Sequence, residues 1–190
     1  MSCGGRRERG DAGAAMVEFA VVFALLLTIA LGAFEYGMLF RDWLSVTISA
    51  REGARVGASA GTITNADCII LEASAGALQS LSSGEVEHIA IYRSSPPGNY
   101  PGNTNSSTKR YRPANAETPD LTCSGGSEWI IVNDGGNWDP GDRDNEGTDA
   151  DWIGVRVEFS HDWLTDFLWF SGTATFADDA VFRLEPPAPS

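Results

Sequence analysis

Gly13-Ala14-Ala15-Met16-Val17-Glu18-Phe19 opens the stretch that decides how this chain is built. From Ala14 to Phe40 the only charged residues are Glu18 and Glu35, and the residues between them are rich in Ala, Leu, Val and Phe. A helix in water hides one apolar stripe; this one is apolar all round, so it asks for an apolar surrounding. A bilayer span takes about 20 apolar residues at 1.5 Å each, and Ala14–Phe40 is long enough. Glu18 and Glu35 stand about 26 Å apart along a helix. The hydrocarbon layer is about 30 Å thick, so both carboxylates can lie near opposite interfaces. The preceding residues 1–13 are polar and carry Arg6, Arg7 and Arg9. Positive charge stays cytoplasmic, which exports the C-terminal part.

Three readings of this segment compete. A cleaved secretory signal has an apolar region of about 7–15 residues ending at a small-x-small site. Ala30-Leu31-Gly32 offers such a site, but Glu18 and the length of the run oppose it. A plain anchor with its leader attached is the second. The third makes Gly13 and Glu18 specific. The string at the join of leader and apolar run resembles the processing site of type IV pilin-like proteins. In those a membrane aspartyl peptidase cuts after the Gly, here Gly13, leaving Ala14 as the first residue. The fifth residue of the mature chain is then a Glu, here Glu18, followed by Phe or Tyr, here Phe19. A carboxylate inside a span costs roughly 2.5–3.5 kcal/mol unless it meets a cation. Cleavage would create one, the new amine on Ala14, and pairing between neighbouring subunits would set their axial register.

The resemblance narrows further along the helix. Residues 14–20, then Gly32-Ala33-Phe34-Glu35-Tyr36-Gly37 and Ala50-Arg51-Glu52-Gly53-Ala54-Arg55, look like the TadE-like family, pilin-like proteins of the tight-adherence (Tad, or Flp) pilus. Ala180–Pro186 is similar to the end of such proteins. The resemblance implies a minor pilin or pseudopilin in a bacterial membrane, exposed outside it and carried into the pilus or priming its assembly. Its implied partners are a prepilin peptidase, other pilins and pseudopilins, the inner-membrane assembly platform and the membrane. The implied service is pilus assembly, adhesion and surface attachment.

The rest of the composition agrees with a non-enzymatic, exported part. The 190 residues carry 13 Lys plus Arg against 26 Asp plus Glu, a net charge of −13. Nucleic-acid binders displace counterions with a basic face, so that class is excluded. His88 and His161 are the only histidines, and each reads as a sheet or loop residue. No Gly-x-Ser-x-Gly, phosphate loop or dinucleotide fingerprint is present. A permanently anchored binding or adhesion module is the first alternative, and a secreted hydrolase with an unrecognised site the second.

The expected organisation is a leader (1–13), a long helix (14–60), an exported α+β domain (61–185) and a Pro-rich tail with Pro186, Pro187 and Pro189. Tyr36 and Trp43 suit the outer interface. Ser49, Gly53 and Gly57 form a small-residue face for close packing, on pilin helices or on the chain's own domain. The competing reading is an ordinary amphipathic helix with Arg51, Glu52 and Arg55 in water. Gly61 is a stop signal. A second helix is expected over Asn65–Leu81, with Thr64 and Asp67 as a partial capping box, an apolar face of Ile70, Ala73, Ala77, Leu78 and Leu81, and Gly84 ending it.

Strands are expected over Val86–Arg93, Glu128–Val132, Ile153–Phe159 (Ile153, Val155, Val157 and Phe159 inward; Arg156 and Glu158 outward) and Thr173–Leu184. They form an antiparallel sheet packed on the outer half of the long helix. Residues 94–127, rich in Pro, Gly, Ser, Asn and Thr, read as one long loop and a binding element; Asn105-Ser106-Ser107 fits a glycosylation acceptor. Asp162 is expected to cap a short helix through Phe167. Cys3 lies in the leader. Cys68 and Cys123, an even pair in an oxidising compartment, suggest a disulfide closing about 55 residues. Asp142, Asp144 and Glu146 resemble the start of a calcium loop, but Ile153 stands where the bidentate Glu belongs, so a solvated acidic loop is expected and no cofactor.

Overall fold

The structure is a computed structural model that describes residues 8–78, 84–165 and 171–186. Cys3, Arg6, Arg7, the expected helix end at Leu81, Phe167, Pro187 and Pro189 lie outside them.

The first element is a single helix, α1 (Glu8–Ala60). It is long and apolar enough to cross a membrane. Thr28, inside the apolar run, returns its hydroxyl to the Ala24 carbonyl at 2.9 Å, which satisfies it without water. Gly61 ends α1 with φ +57°, its N–H closing on the Gly57 carbonyl at 3.1 Å; an L side chain there is strained. Helix α2 (Ala66–Leu78) lies against α1. The strands are β1 (Gly84–Arg93), β2 (Thr108–Pro113), β3 (Leu121–Thr122), β4 (Glu128–Asn133), β5 (Trp152–Asp162) and β6 (Thr173–Arg183). They form one antiparallel sheet in the order β3-β4-β2-β1-β5-β6. The molecule is therefore α+β, as the order of helical and alternating patterns implied.

One face of the sheet packs on α1 and α2. Val46, Ala50, Ala54 and Ala58 recur every fourth residue along α1 and are buried, a spacing that keeps them on one side of a helix. They meet Ile70 and Leu71 of α2, Ile89 and Ile91 of β1, and Ile153, Val155, Val157 and Phe159 of β5. The four β5 residues were the ones the alternation pointed inward, and none is more than 1% exposed. The opposite face carries half-buried Arg156 and Glu158. There Tyr92 lies over Gly154, where an added Cβ would sit 2.1 Å from its ring. The Tyr92 hydroxyl donates to Asp179 at 2.9 Å; burial and that carboxylate push its pKa up.

Five expectations need correction. Residues 94–127 are not one loop, since they contain β2 and β3. Lys109, Arg110 and Arg112 hid β2 from a search for apolar alternation; in the fold each cation finds an acid. Lys109 pairs with Asp139 and Asp134, Arg110 with Glu158 at 2.7 Å and Arg112 with Glu117 at 2.7 Å. Among the described residues no helix follows Asp162: it is the last residue of β5 and accepts from the Thr173 hydroxyl at 3.0 Å, closing the β5–β6 hairpin. The buried face of α2 is Asp67, Ile70, Leu71, Ser74 and Leu78, with Ala73 and Ala77 only half-buried. Asp67 does not reach back to Thr64, because its carboxylate is taken up by Tyr111 and Arg143. Gly84 opens β1.

Candidate functional site

Along α1 the chain divides by exposure. From Gly13 to Phe34 nearly every residue is open to the surroundings, including Met16, Phe19, Phe23, Leu25, Leu26 and Ile29. Gly13 and Ala14 lie within the helix, and Cβ space at Gly13 is free of any atom within 4 Å. Glu18 is exposed on the same free segment. Phe19 stacks on Phe23 with ring centroids 5.7 Å apart, one turn on. Among the described residues Glu18 has no ion-pair partner within the chain.

At Glu35 the helix meets the domain. Glu35, expected at the level of the outer interface, is covered by the chain's own domain and fully buried. Its two oxygens accept the Leu164 and Thr165 backbone N–H groups at 3.3 and 2.6 Å. Two turns further, Asp42 is also fully buried and holds Nδ1 of His161 at 2.7 Å. His161, at the end of β5, is buried too, so both partners of this pair are removed from water. Polar groups buried this far from water have to be paired, because one left without a partner costs its full desolvation. Trp163 stands edge-on to His161 and to Tyr36, with centroids at 5.3 and 6.4 Å. The pattern was present in the sequence. Glu35 and Asp42 are seven residues apart, and the stripe continues through Val46, Ser49 and Gly53, so both acids fall on the face that meets the domain.

Ser49, Gly53 and Gly57 are also on that face. Ser49 donates its hydroxyl to the Ser74 carbonyl of α2 at 2.8 Å. A Cβ on Gly53 would stand 2.1 Å from Ser74 Oγ, and one on Gly57 would stand 3.0 Å from the terminal methyls of Ile70 and Ile153. The small-residue face packs on the chain's own domain. Arg51 and Arg55 remain exposed, and Arg55 pairs with Glu52 one turn away at 2.6 Å. Thr47 donates to Asp178 of β6 at 2.5 Å.

The acidic stretch is organised around an arginine. Asp142, Asp144 and Glu146 are exposed, and Asp144 Oδ1 accepts the Glu146 N–H at 2.9 Å. Between them Arg143 turns inward, is fully buried, pairs with Asp67 and lies 4.7 Å over the Trp138 ring. The Tyr111 hydroxyl donates to the other Asp67 oxygen at 2.8 Å, and burial with that carboxylate pushes its pKa up. Asp151 gathers Trp138 Nε1 at 2.9 Å, the Asp144 N–H at 3.1 Å and Arg93 at 2.6 Å. Among the described residues no three acids, histidines or cysteines converge as metal ligands. Sequence reasoning missed Arg143 because a lone cation in an acidic loop reads as solvated.

Cys68 and Cys123 are joined in a disulfide, with Cα atoms 5.4 Å apart. The bond ties α2 to the segment just past β3, where Glu72 also accepts the Gly125 N–H at 2.5 Å. His88 lies on β1 beside Glu158 at 3.5 Å. Partial burial and the Arg110 guanidinium hold its pKa below the ordinary value, against the pull of Glu158.

No curated protein and no solved structure matches this chain. The family model described as TadE-like protein matches residues 13–55, a stretch that lies wholly on α1 and begins at Gly13, so the likeness carried by Gly13, Glu18 and Phe19 holds for the helix, while the sheet and α2 lie outside it.

Proposed function

We propose that the chain is a minor pilin or pseudopilin of a Tad-type pilus, with a structural role in assembly or priming and no catalytic activity of its own. The observation that carries this is the coincidence of three features on one segment. Residues 13–55 match the TadE-like model. Gly13 precedes Glu18-Phe19 at the spacing of a prepilin cleavage site. The first part of the helix that bears them, 13–34, stands clear of the domain with its apolar side chains exposed.

In this reading a prepilin peptidase cuts between Gly13 and Ala14. Glu18 of one subunit then meets the Ala14 amine of the next, which offsets the burial of a carboxylate among apolar helices and sets their axial offset. Phe19 packs beside it. The partners are the peptidase, other pilins and the inner-membrane assembly platform. The protein is a single-pass membrane protein with its N-terminus inside, its domain outside and passage into the pilus. The acidic domain then carries adhesion or partner choice through its exposed loops.

The test is the N-terminal residue of the mature protein, read by mass spectrometry from cells with and without the cognate peptidase. Ala14 as the first residue, only when the peptidase is present, supports the reading. A chain that keeps its arginines overturns processing and favours a permanently anchored adhesion module. Glu18→Ala is expected to insert and be cleaved yet fail to assemble; normal piliation in that variant sinks the register role.

A further inference from the structure

We propose that the domain is seated in the lipid leaflet on its own side of the membrane, through an aromatic collar around α1 at the level of Glu35–Trp43. The inference rests on the spanning reading of α1 and adds a lipid-facing surface on the folded domain itself. Tyr36, Phe40 and Trp43 are 58%, 56% and 43% exposed on the helix, and Leu164, on the β5–β6 connection, is 52% exposed. Tyr36, Leu39, Phe40 and Trp43 with Phe176 of β6 line an apolar groove of about 390 Å³. It is open to the side and large enough for a stretch of acyl chain.

Three observations select lipid as the occupant. First, the collar continues the free apolar helix without a break. Gly13–Phe34 is about 33 Å long, and the hydrocarbon layer is about 30 Å thick, so the interface falls on the collar. Second, the two acids of this zone do not face outward. Glu35 is held on the Leu164 and Thr165 N–H groups and Asp42 on His161, all inside the fold. Apart from exposed Arg41, whose long stem lets its cation reach headgroup level, the surface left to the surroundings is rings and aliphatic groups. Tyr and Trp concentrate where acyl chains meet headgroups. Third, in the membrane before assembly the net charge of −13 keeps the acidic domain of a second copy off this face. Seating by apolar burial needs no charge attraction, so it is independent of anionic lipid and weakly dependent on salt.

The experiment uses the full-length protein with Cys3→Ser in phosphatidylcholine nanodiscs. A polarity-sensitive fluorophore is placed on single cysteines at Phe23→Cys, Leu164→Cys or Ile63→Cys, with the Cys68–Cys123 disulfide verified in each. Position 23 reports the span, 164 the collar away from the helix, and 63 the far end of the domain. Quenching by acyl-brominated lipid is compared with quenching by iodide from water. Loss of emission to brominated lipid at 23 and 164, with iodide quenching confined to 63, is the expected result. Quenching of 164 by iodide, with 23 still quenched by lipid, overturns the collar and leaves the span standing. Shielding of 164 from both quenchers means a protein occupant and also overturns it. If 23 is not quenched by lipid, the spanning reading fails and the collar fails with it.

Discussion

Arg143 shows what a single residue does in this fold. It sits in the most acidic stretch of the chain yet has no exposed side-chain surface, and its cation is matched by Asp67 beneath Trp138. Breaking a buried pair from one side leaves a charge with no partner, which typically costs about 3–5 kcal/mol. Arg143→Met is therefore expected to destabilise by that order, and Arg143→Met with Asp67→Leu and Tyr111→Phe, which removes the hydroxyl that Asp67 satisfies, to recover much of it. Denaturant melts of the two variants in detergent check this; equal losses would count against the pair.

His88 supplies the pH dependence at this scale. Its folded pKa is depressed by partial burial and by Arg110, so the folded state binds its proton less readily than the unfolded chain. Its contribution is whole above the unfolded value of about 6.5 and is lost as pH falls through the lower folded value. The slope from this one group is at most about 1.4 kcal/mol per pH unit. Replacing it, as in His88→Gln, should flatten the acid limb of a stability–pH curve; an unchanged limb assigns the effect elsewhere. Lys109 works in the opposite sense. Partial burial opposes its charge, but Asp139 and Asp134 outweigh that and raise its pKa, so it stays cationic throughout.

At the scale of elements, α1 does two jobs with one periodicity. Its first half exposes apolar groups all round, while its second half presents a stripe to the domain. Close approach along that stripe depends on glycine. Gly53→Ala would place a Cβ 2.1 Å from Ser74 Oγ, and overpacking of this kind costs about 1–3 kcal/mol. Ser74 Oγ has no hydrogen-bond partner among the described residues, and Ser74 Cβ stands 3.5 Å from the same point. Removing the hydroxyl relieves the worst clash without breaking a bond, leaving Val155 Cγ1 at 3.2 Å to give slightly, and the Ser49 contact to the Ser74 carbonyl is kept. The double variant Gly53→Ala with Ser74→Ala is expected to melt close to the wild type, and the single Gly53→Ala below it. If Gly53→Ala alone is neutral, the two helices are not in close contact there.

At the scale of the whole molecule, the sheet is held unevenly. Strands β1, β5 and β6 are long, and β5 and β6 lie against α1, whereas β3 pairs through two residues at the far edge. The Cys68–Cys123 bond fastens that edge to α2. Closing about 55 residues in the unfolded chain is worth about 4 kcal/mol in the chain-entropy model. Reduction, or Cys68→Ser with Cys123→Ser, should lower stability by that order. Hydrogen exchange is expected to rise first in β3 and β4 and last in β5. Uniform exchange across the sheet would show that the edge does not open separately.

The sequence by itself determined the long apolar helix, its TadE-like segment and the antiparallel strands with clean alternation. These are local signals: a run without charge and a period of two, each readable from neighbours in the chain. Strand β2 was illegible because its charges look like loop residues until their partners, on β5 and on the connecting loops, are beside them. The same holds for Glu35, Asp42 and Arg143. A carboxylate or guanidinium reads as surface from its own neighbours, and only the tertiary structure brings His161, the Leu164 and Thr165 N–H groups, or Asp67 within hydrogen-bond reach. Which charges are buried was decided there, because the energy of a buried charge belongs to the pair, and the pair is formed by residues far apart in the chain.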